Sequence, residues 1–503
     1  MTGLDHAATV QAQLAPDNAP AAPWINPKPK NRYHLLIVGA GIAGLAAARG
    51  AAALGATVAL IERFPIDGDR LNSGPVLSSK AFIRTSRLYA EMRNAMRYGA
   101  RTPDNVDVDF PAAMERVRRL RSHIDSGNTV RRLSAAGVDV FFGAAEFAAS
   151  DTLVVEGQAL HFRKALIATG ARPSASLIPG LEEAGYFTSE NIFDLNELPR
   201  RLLVIGGGPI GCELAQAFRR MGAQTTIVEE KPCFLGAEER DAAQILSDAF
   251  ARDGIKVRLN TSAVAVRIQD GQKFVDLVSD DYRNAVATDA ILTGIGRTPN
   301  VEGMNLEAAG VRFDTEIGIH VDDFMCTSNP NIFAAGDVCL QEKYSNSARA
   351  SARIVVQNAL LRRRERFGAL VIPRCIYTDP EIAHVGIYVR EANRQQIPVK
   401  TFTVPMHEID RAVTDSEDEG FVKIHVREGT DQILGATIVA THAGDMINEI
   451  TLAMVAGIGL RTLSRVIHAY PTQAEAIRNA ADAYFRSRLT DRIQARLRRL
   501  LMR

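Results

Sequence analysis

Two stretches of the chain run from apolar residues into glycine in the same way. Leu35-Leu36-Ile37-Val38 precedes Gly39-Ala40-Gly41-Ile42-Ala43-Gly44, and Leu202-Leu203-Val204-Ile205 precedes Gly206-Gly207-Gly208-Pro209-Ile210-Gly211. A four-residue apolar run that ends in glycine reads as a buried strand, and the Ala-rich stretch beyond it as a helix. Each helix is expected to lead into a second strand, Thr57–Ile61 and Thr225–Val228, and each strand ends on an acid, Glu62 and Glu229. Both acids lie 23 positions after the first glycine of their motif.

Further along, Phe421–Val426 and Ile433–Val439 alternate as short strands, and Met446–Val455 and Thr472–Tyr484 follow as apolar helices. Strands followed by helices predict a separate α+β domain from about residue 371. The whole is expected to be α/β, with two Rossmann-like dinucleotide-binding domains and a C-terminal α+β domain. The expected boundaries are a disordered Ala/Pro arm over 1–31, a first domain over 32–185 resumed at 298–370, a second over 186–297, a C-terminal domain over 371–485 and a basic amphipathic tail helix over 486–503.

The chemistry of the repeated unit is direct. Glycines let the backbone approach a pyrophosphate, and a helix N-terminus offers unpaired N–H groups and the positive end of its dipole. The terminal acid accepts hydrogen bonds from ribose hydroxyls. A lone glycine motif is weak evidence; strand, glycines, helix, strand and acid, found twice at equal spacing, are strong. Two units imply two dinucleotides, or one dinucleotide and an evolutionary remnant.

Composition narrows the classes. With 503 residues, 46% apolar and 23% charged, the chain is an ordinary globular protein of about three domains. A net charge of +1 provides no field to draw nucleic acid. The run Arg362, Arg363 and Arg364 reads as a solvated helix face rather than a binding patch. Five cysteines, Cys212, Cys233, Cys326, Cys339 and Cys375, are odd in number and lack CxxC spacing, so neither a disulfide framework nor a metal site is expected. Free thiols suit a reducing cytoplasm, the expected location. No run reaches the length of a membrane span, and residues 1–31 build no signal-peptide core.

The first unit, Lys164-Ala-Leu-Ile-Ala-Thr-Gly170, Asn331-Ile-Phe-Ala-Ala-Gly-Asp337 and Tyr470-Pro-Thr-Gln-Ala-Glu475 occur in that order. Over about residues 33–485 the chain resembles the flavin-dependent pyridine nucleotide–disulfide oxidoreductases, the group of dihydrolipoyl dehydrogenase, glutathione reductase and mercuric reductase. Asp410-Arg-Ala412 and the tyrosine at 470 make it similar to the mercuric-reductase-like branch and the soluble transhydrogenases. The resemblance implies FAD at Gly39, Gly41, Gly44, Glu62, Arg63, Lys80, Ala145, Gly170 and Asp337, the last at the start of a helix facing the flavin. It implies NAD at Gly206, Gly208, Gly211, Glu229 and Gly296. It also implies that Lys80 and Glu213 pair at flavin N5, where a fixed cation stabilises the reduced ring.

Two departures matter. The family's working disulfide is a CxxxxC after the FAD turn, but here Gly68–Lys80 contains no cysteine. Depending on the anchor, its positions hold Arg70 and Pro75 or Leu71 and Val76. The family's C-terminal catalytic histidine is replaced by Tyr470, with Glu475 following and His468 two residues before. A tyrosine with an ordinary pKa near 10 is a poor base at neutral pH but a usable hydrogen-bond donor. His468 is a substitute candidate, although a structural histidine is the preferred reading. Pro209 stands where many relatives carry a tyrosine over the flavin, and the resemblance thus implies a different or more open nicotinamide gate.

The expected function is hydride transfer from NADH to FAD and on to a non-disulfide acceptor: a quinone-like small molecule, another pyridine nucleotide or dioxygen. The alternative is a degenerate FAD- and NAD-binding redox-responsive module or accessory subunit. Glu229 followed by Glu230 favours NADH over NADPH, with Lys231 as a possible phosphate partner. The resemblance implies a homodimer with the C-terminal α+β domain, 371–485, as its dimerisation domain, and the basic tail is expected to pack on the partner subunit in preference to an anionic membrane.

Overall fold

The computed structural model describes residues 24–63, 76–103, 106–125, 130–174, 178–280, 282–361, 363–489 and 491–502. Residues 1–23 of the expected arm, Arg70, Leu71, Pro75 and Arg362 lie outside them. The chain divides into two compact units. The first takes the described residues within 1–81, 111–175 and 296–369, and the second those within 82–110, 176–295 and 370–503.

In the first unit, β1 (Tyr33–Val38), β2 (Val58–Glu62), β3 (Val138–Phe142), β4 (Ala145–Ala149), β5 (Thr152–Val155) and β6 (Gln158–Ile167) form a sheet in the order β3-β2-β1-β6-β5-β4. Strand Ile332–Ala334 adds to β6 in parallel. β1, β2 and β3 are parallel to one another, and β1 is parallel to β6. Helix α1 (Ile42–Ala53) buries Ala47, Ala48 and Ala51 in a cluster with Ala348, Ala352 and Val355 of helix Ser345–Leu361. Small side chains on both helices let their axes approach closely. The other face of the sheet is covered by Val301, Met304, Leu306 and Val311, which share a cluster with Leu36, Ile61 and Phe162.

In the second unit, β7 (Arg201–Ile205), β8 (Gln224–Val228), β9 (Lys256–Arg258) and β10 (Ala290–Thr293) form a parallel sheet in the order β9-β8-β7-β10. Helix α2 (Pro209–Met221) follows β7, and helix α3 (Arg240–Asp253) follows β8. A second, five-stranded antiparallel sheet contains β11 (Arg374–Ile376), β12 (Glu381–Gly386), β13 (Val399–Pro405), β14 (Phe421–Arg427) and β15 (Ile433–Ala440). Helices α4 (Ala443–Val455) and α5 (Glu475–Ser487) bury Met446, Ile447, Ile450, Ile477 and Tyr484 with it. The tail forms helix α6 (Asp491–Leu501).

Three expectations need correction. Residues 24–31 are not a loose arm: Trp24 meets Phe142 edge-to-face, and Lys30 pairs with Asp139 at 3.0 Å. Arg363 and Arg364 lie beyond the helix that ends at Leu361, and the Arg364 guanidinium lies 4.9 Å from the centroid of the Phe324 ring. Asp337 starts no long helix. It sits in the 3-10 turn Gly336–Val338, and the helix that follows begins at Ser345.

Candidate functional site

The two glycine turns share one geometry, and its cause is steric. Gly39 has φ +101°, and a Cβ there would stand 2.4 Å from the Ala168 carbonyl oxygen. A Cβ on Gly44 would stand 1.8 Å from the Gly39 carbonyl oxygen. In the second turn, Gly206 has φ +107° and faces the Gly294 oxygen at 2.7 Å, and Gly211 faces the Gly206 oxygen at 2.1 Å. The first and third glycines therefore hold strand, turn and helix against one another.

The middle glycines differ. A Cβ on Gly41 would meet nothing within 4 Å, and one on Gly208 only the Gly294 oxygen at 3.9 Å. These glycines are the N-caps of α1 and α2, neither helix has a side-chain cap, and neither carries an acid in its first turn. Each turn is thus an open cradle of backbone N–H groups at a helix N-terminus, which fits a pyrophosphate.

The terminal acids close the two turns alike. Glu62 accepts hydrogen bonds from the Ala40 N–H at 2.7 Å and the Arg63 N–H at 2.8 Å. Glu229 accepts from the Gly207 N–H at 2.8 Å and the Lys231 N–H at 3.0 Å. Each carboxylate is therefore fixed at the carboxyl end of its strand, where ribose hydroxyls would reach it.

Other candidates of the first unit surround this sheet end. Gly170, with φ +69°, follows β6, and its carbonyl accepts from the Asn300 N–H at 2.9 Å. Asn300 also accepts from the Thr169 hydroxyl through its carbonyl at 2.7 Å. Ala145 opens β4 opposite Val155. Gly296, expected at the nicotinamide nucleotide, belongs to the first unit, where its carbonyl accepts from the Ser174 N–H. Burial pushes the Asp337 carboxyl up, opposed by Arg297 and Lys343. Arg297 Nε lies 3.5 Å from Asp337, and Lys343 Nζ donates to the Asp337 carbonyl at 2.8 Å. Sequence reasoning missed Asn300, Arg297 and Lys343, since each stands outside a motif.

The catalytic candidates are spread over both units. Lys80 lies on helix Val76–Asn94 in the first. Buried Glu213 lies on α2 in the second, where its carboxylate accepts from the Tyr377 N–H at 2.8 Å. Tyr470 is exposed and donates its hydroxyl to Asp410 at 2.7 Å. That bond, with the charges of Asp410 and Glu475, raises the phenol pKa above its ordinary value. Glu475, in the first turn of α5, accepts from Arg478 at 3.2 Å. His468 turns to Glu449, with Nε2 3.1 Å from both carboxylate oxygens. Its Nδ1 is buried without a hydrogen-bond partner among the described residues. Tyr470 and Asp410 thus make a hydrogen-bonded pair, whereas His468 is held apart by its own acid.

Residues 33–355 match the model of the pyridine nucleotide–disulphide oxidoreductases, and residues 372–481 that family's dimerisation domain. A mercuric reductase of Lysinibacillus sphaericus is 31% identical over 452 residues, covering 90% of this chain and 82% of that protein. A dihydrolipoyl dehydrogenase of Chlamydia muridarum is 32% identical over 451 residues, 88% of this chain and 95% of that one. Among solved structures, LpdA of Mycobacterium tuberculosis superposes with a TM-score of 0.80 at 26% identity, covering 90% of this chain and 100% of that one. The HOCl-induced flavoprotein disulfide reductase RclA of Escherichia coli gives 0.79 at 26%, covering 90% and 99%. No helix among the described residues is long and apolar enough to cross a membrane. Matched over both domains, the chain belongs to the pyridine nucleotide–disulphide oxidoreductase family and is an FAD-dependent pyridine nucleotide oxidoreductase of that family.

Proposed function

We propose that this chain binds FAD at the Gly39–Gly44 turn and NADH at the Gly206–Gly211 turn, and reduces an acceptor without a catalytic disulfide. The observation that carries the reading is the position of the thiols. No cysteine occurs before Cys212, so the helix after the first turn offers none. All five cysteines are free. Burial raises the Cys212 and Cys326 thiols above their ordinary range and pushes Cys339 up to about 12. Thiol exchange requires a thiolate.

Bound FAD supplies the hydride-accepting and hydride-releasing chemistry. The chain's own residues bind and orient. Glu62 and Glu229 take ribose hydroxyls, Asp337 takes a polar group of the flavin's chain, and Lys80 provides a fixed cation. Tyr470, kept protonated by Asp410, has one O–H, and it donates that hydrogen to an acceptor only by turning it away from the Asp410 carboxylate. Hydrogen-bond donation suits a carbonyl oxygen, which favours a quinone-like small molecule over dioxygen. The family's dimerisation domain supports a homodimer.

The test is turnover of NADH under anaerobic conditions with quinones, thio-NAD and low-molecular-weight disulfides. Turnover with quinone or thio-NAD and none with disulfides is expected. FAD bound with no turnover on any acceptor points instead to a binding module. Glu229 should favour NADH over NADPH by at least about tenfold in kcat/KM, since a second carboxylate beside it repels the 2′-phosphate. Equal kcat/KM would refute that assignment.

A further inference from the structure

The segment ahead of β1 belongs to none of the motifs, yet it is built onto the sheet. β3 is an edge strand, so the outward N–H and C=O of Phe142 need partners. The Asn26 side chain supplies both. Its Nδ2 donates to the Phe142 carbonyl at 2.7 Å, and its Oδ1 accepts from the Phe142 N–H at 2.7 Å. At the other end of β3, Lys30 Nζ reaches Asp139 at 3.0 Å, and the Lys30 N–H donates to the Tyr33 hydroxyl at 3.2 Å. Tyr33 in turn donates to Asp139 at 2.9 Å. Residues 24–30 therefore run along β3 from its carboxyl end to its amino end, as a strap.

That path leaves Trp24 at the carboxyl end. Its ring meets Phe142 edge-to-face, with centroids 6.1 Å apart at 89°. Trp24 is 39% exposed, so part of the indole remains uncovered. Phe142 is the register partner of Glu62, and the Gly143 N–H donates to the Glu62 carbonyl at 3.0 Å. The uncovered indole thus stands one strand away from the acid that closes the first turn. Ligands of open α/β sheets bind beyond the carboxyl ends of the strands, and a flat heterocycle stacks on an indole face whatever its substituents.

We propose that Trp24 forms a wall for the adenine ring of the dinucleotide held at the first turn, with Asn26 as its positioning residue. This inference rests on the reading that the first turn binds FAD. The strap closes the adenosine end with an aromatic face, so it adds affinity for the cofactor without contributing to the reaction.

Trp24 is the only tryptophan in the chain, so tryptophan emission reports this position alone. The experiment titrates flavin-free protein with ADP, which carries the adenosine diphosphate half and no flavin to accept excitation energy. Saturable quenching is expected in the wild type and should be lost in Gly41→Ala, whose added methyl group fills the cradle. Trp24→Ala should weaken FAD binding about tenfold, about 1.4 kcal/mol. Trp24→Phe should recover most of the loss, and Asn26→Ala should reduce the ADP quench. Circular dichroism establishes that each variant is folded. Unchanged emission on ADP binding, quenching that persists in Gly41→Ala, or an FAD Kd in Trp24→Ala within twofold of wild type would overturn the proposal. Wild-type protein that binds no FAD at all would remove the underlying reading of the first turn, a result distinct from the others.

Discussion

Gly41 and Gly44, three residues apart, carry opposite burdens. A methyl group on Gly44 collides with the backbone oxygen of Gly39 at 1.8 Å, and no flexible side chain is there to give way. Gly44→Ala should therefore cost about 3 kcal/mol, the upper end of the penalty for overpacking, seen as a lower Tm of the flavin-free protein. A methyl group on Gly41 meets nothing. Gly41→Ala should leave that Tm nearly unchanged yet weaken FAD binding at least about tenfold, or about 1.4 kcal/mol, by occupying the cradle. Equal effects of the two substitutions on Tm would show that the cradle is structural only.

Glu239 has a different role. Burial pushes its carboxyl up, but hydrogen bonds from His425 and Lys423, together with their charge, outweigh burial and take it down to about 2. Lys423 Nζ lies 2.9 Å away and His425 Nε2 3.1 Å. A carboxyl whose pKa is lower folded than unfolded stabilises the fold above its unfolded value of 4.5, and the contribution fades as pH falls towards 2. Glu239→Gln should thus cost about 3 kcal/mol at pH 7. The difference from wild type should shrink by about half by pH 3. A constant difference between pH 7 and pH 3 would mean that packing, not charge, is what Glu239 supplies.

At the scale of elements, what was legible in the sequence was what is local. Strand, glycine turn, helix and acid follow one another within a few tens of residues, so Gly39–Glu62 and Gly206–Glu229 could be read directly. The alternating strands at 421–427 and 433–440 were legible for the same reason. Contacts between distant segments left no such trace. Thr169 finds Asn300 across 131 positions, and Tyr470 finds Asp410 across 60. Glu238 accepts from Tyr388 at 2.6 Å across 150 positions. The arginine run was read as a helix face, yet Arg363 and Arg364 follow the helix end at Leu361, and Arg364 meets Phe324, 40 positions away in sequence.

The tail shows how far an element-level reading extends. Helix α6 exposes Ile493 and Leu497 at 44% each and Leu501 at 85%, an apolar stripe left uncovered among the described residues. α4 buries Met446, Ile447 and Ile450 but leaves Leu452 and Val455 uncovered. Uncovered apolar faces call for a partner surface, and packing on a second subunit remains the preferred reading. Removing residues 490–503 should weaken the dimer at least about tenfold, or about 1.4 kcal/mol, in sedimentation over a range of concentrations. Full-length protein that binds anionic vesicles, with binding lost on truncation, would reverse the assignment in favour of a membrane surface.

For the whole molecule, the deciding quantity is how many electrons it can hold. A family member with its disulfide stores two electrons on sulfur and two on flavin. In its half-reduced form a thiolate beside the flavin produces a long-wavelength charge-transfer band. Here the segment between the first turn and Lys80 has no sulfur. The thiols at 212 and 339 are raised by burial, which disfavours the thiolate needed for that band. FAD should then be the only reservoir. Anaerobic dithionite titration should bleach the flavin with one two-electron equivalent per chain, without a thiolate band at any stage. Dithionite is the better titrant, since oxidised nicotinamide can itself form charge-transfer complexes with reduced flavin. Uptake of a second two-electron equivalent would show that a pair among Cys212, Cys233, Cys326, Cys339 and Cys375 exchanges electrons with the flavin. In that case the acceptor would be reached through sulfur after all. A single equivalent leaves direct transfer from the flavin to the acceptor.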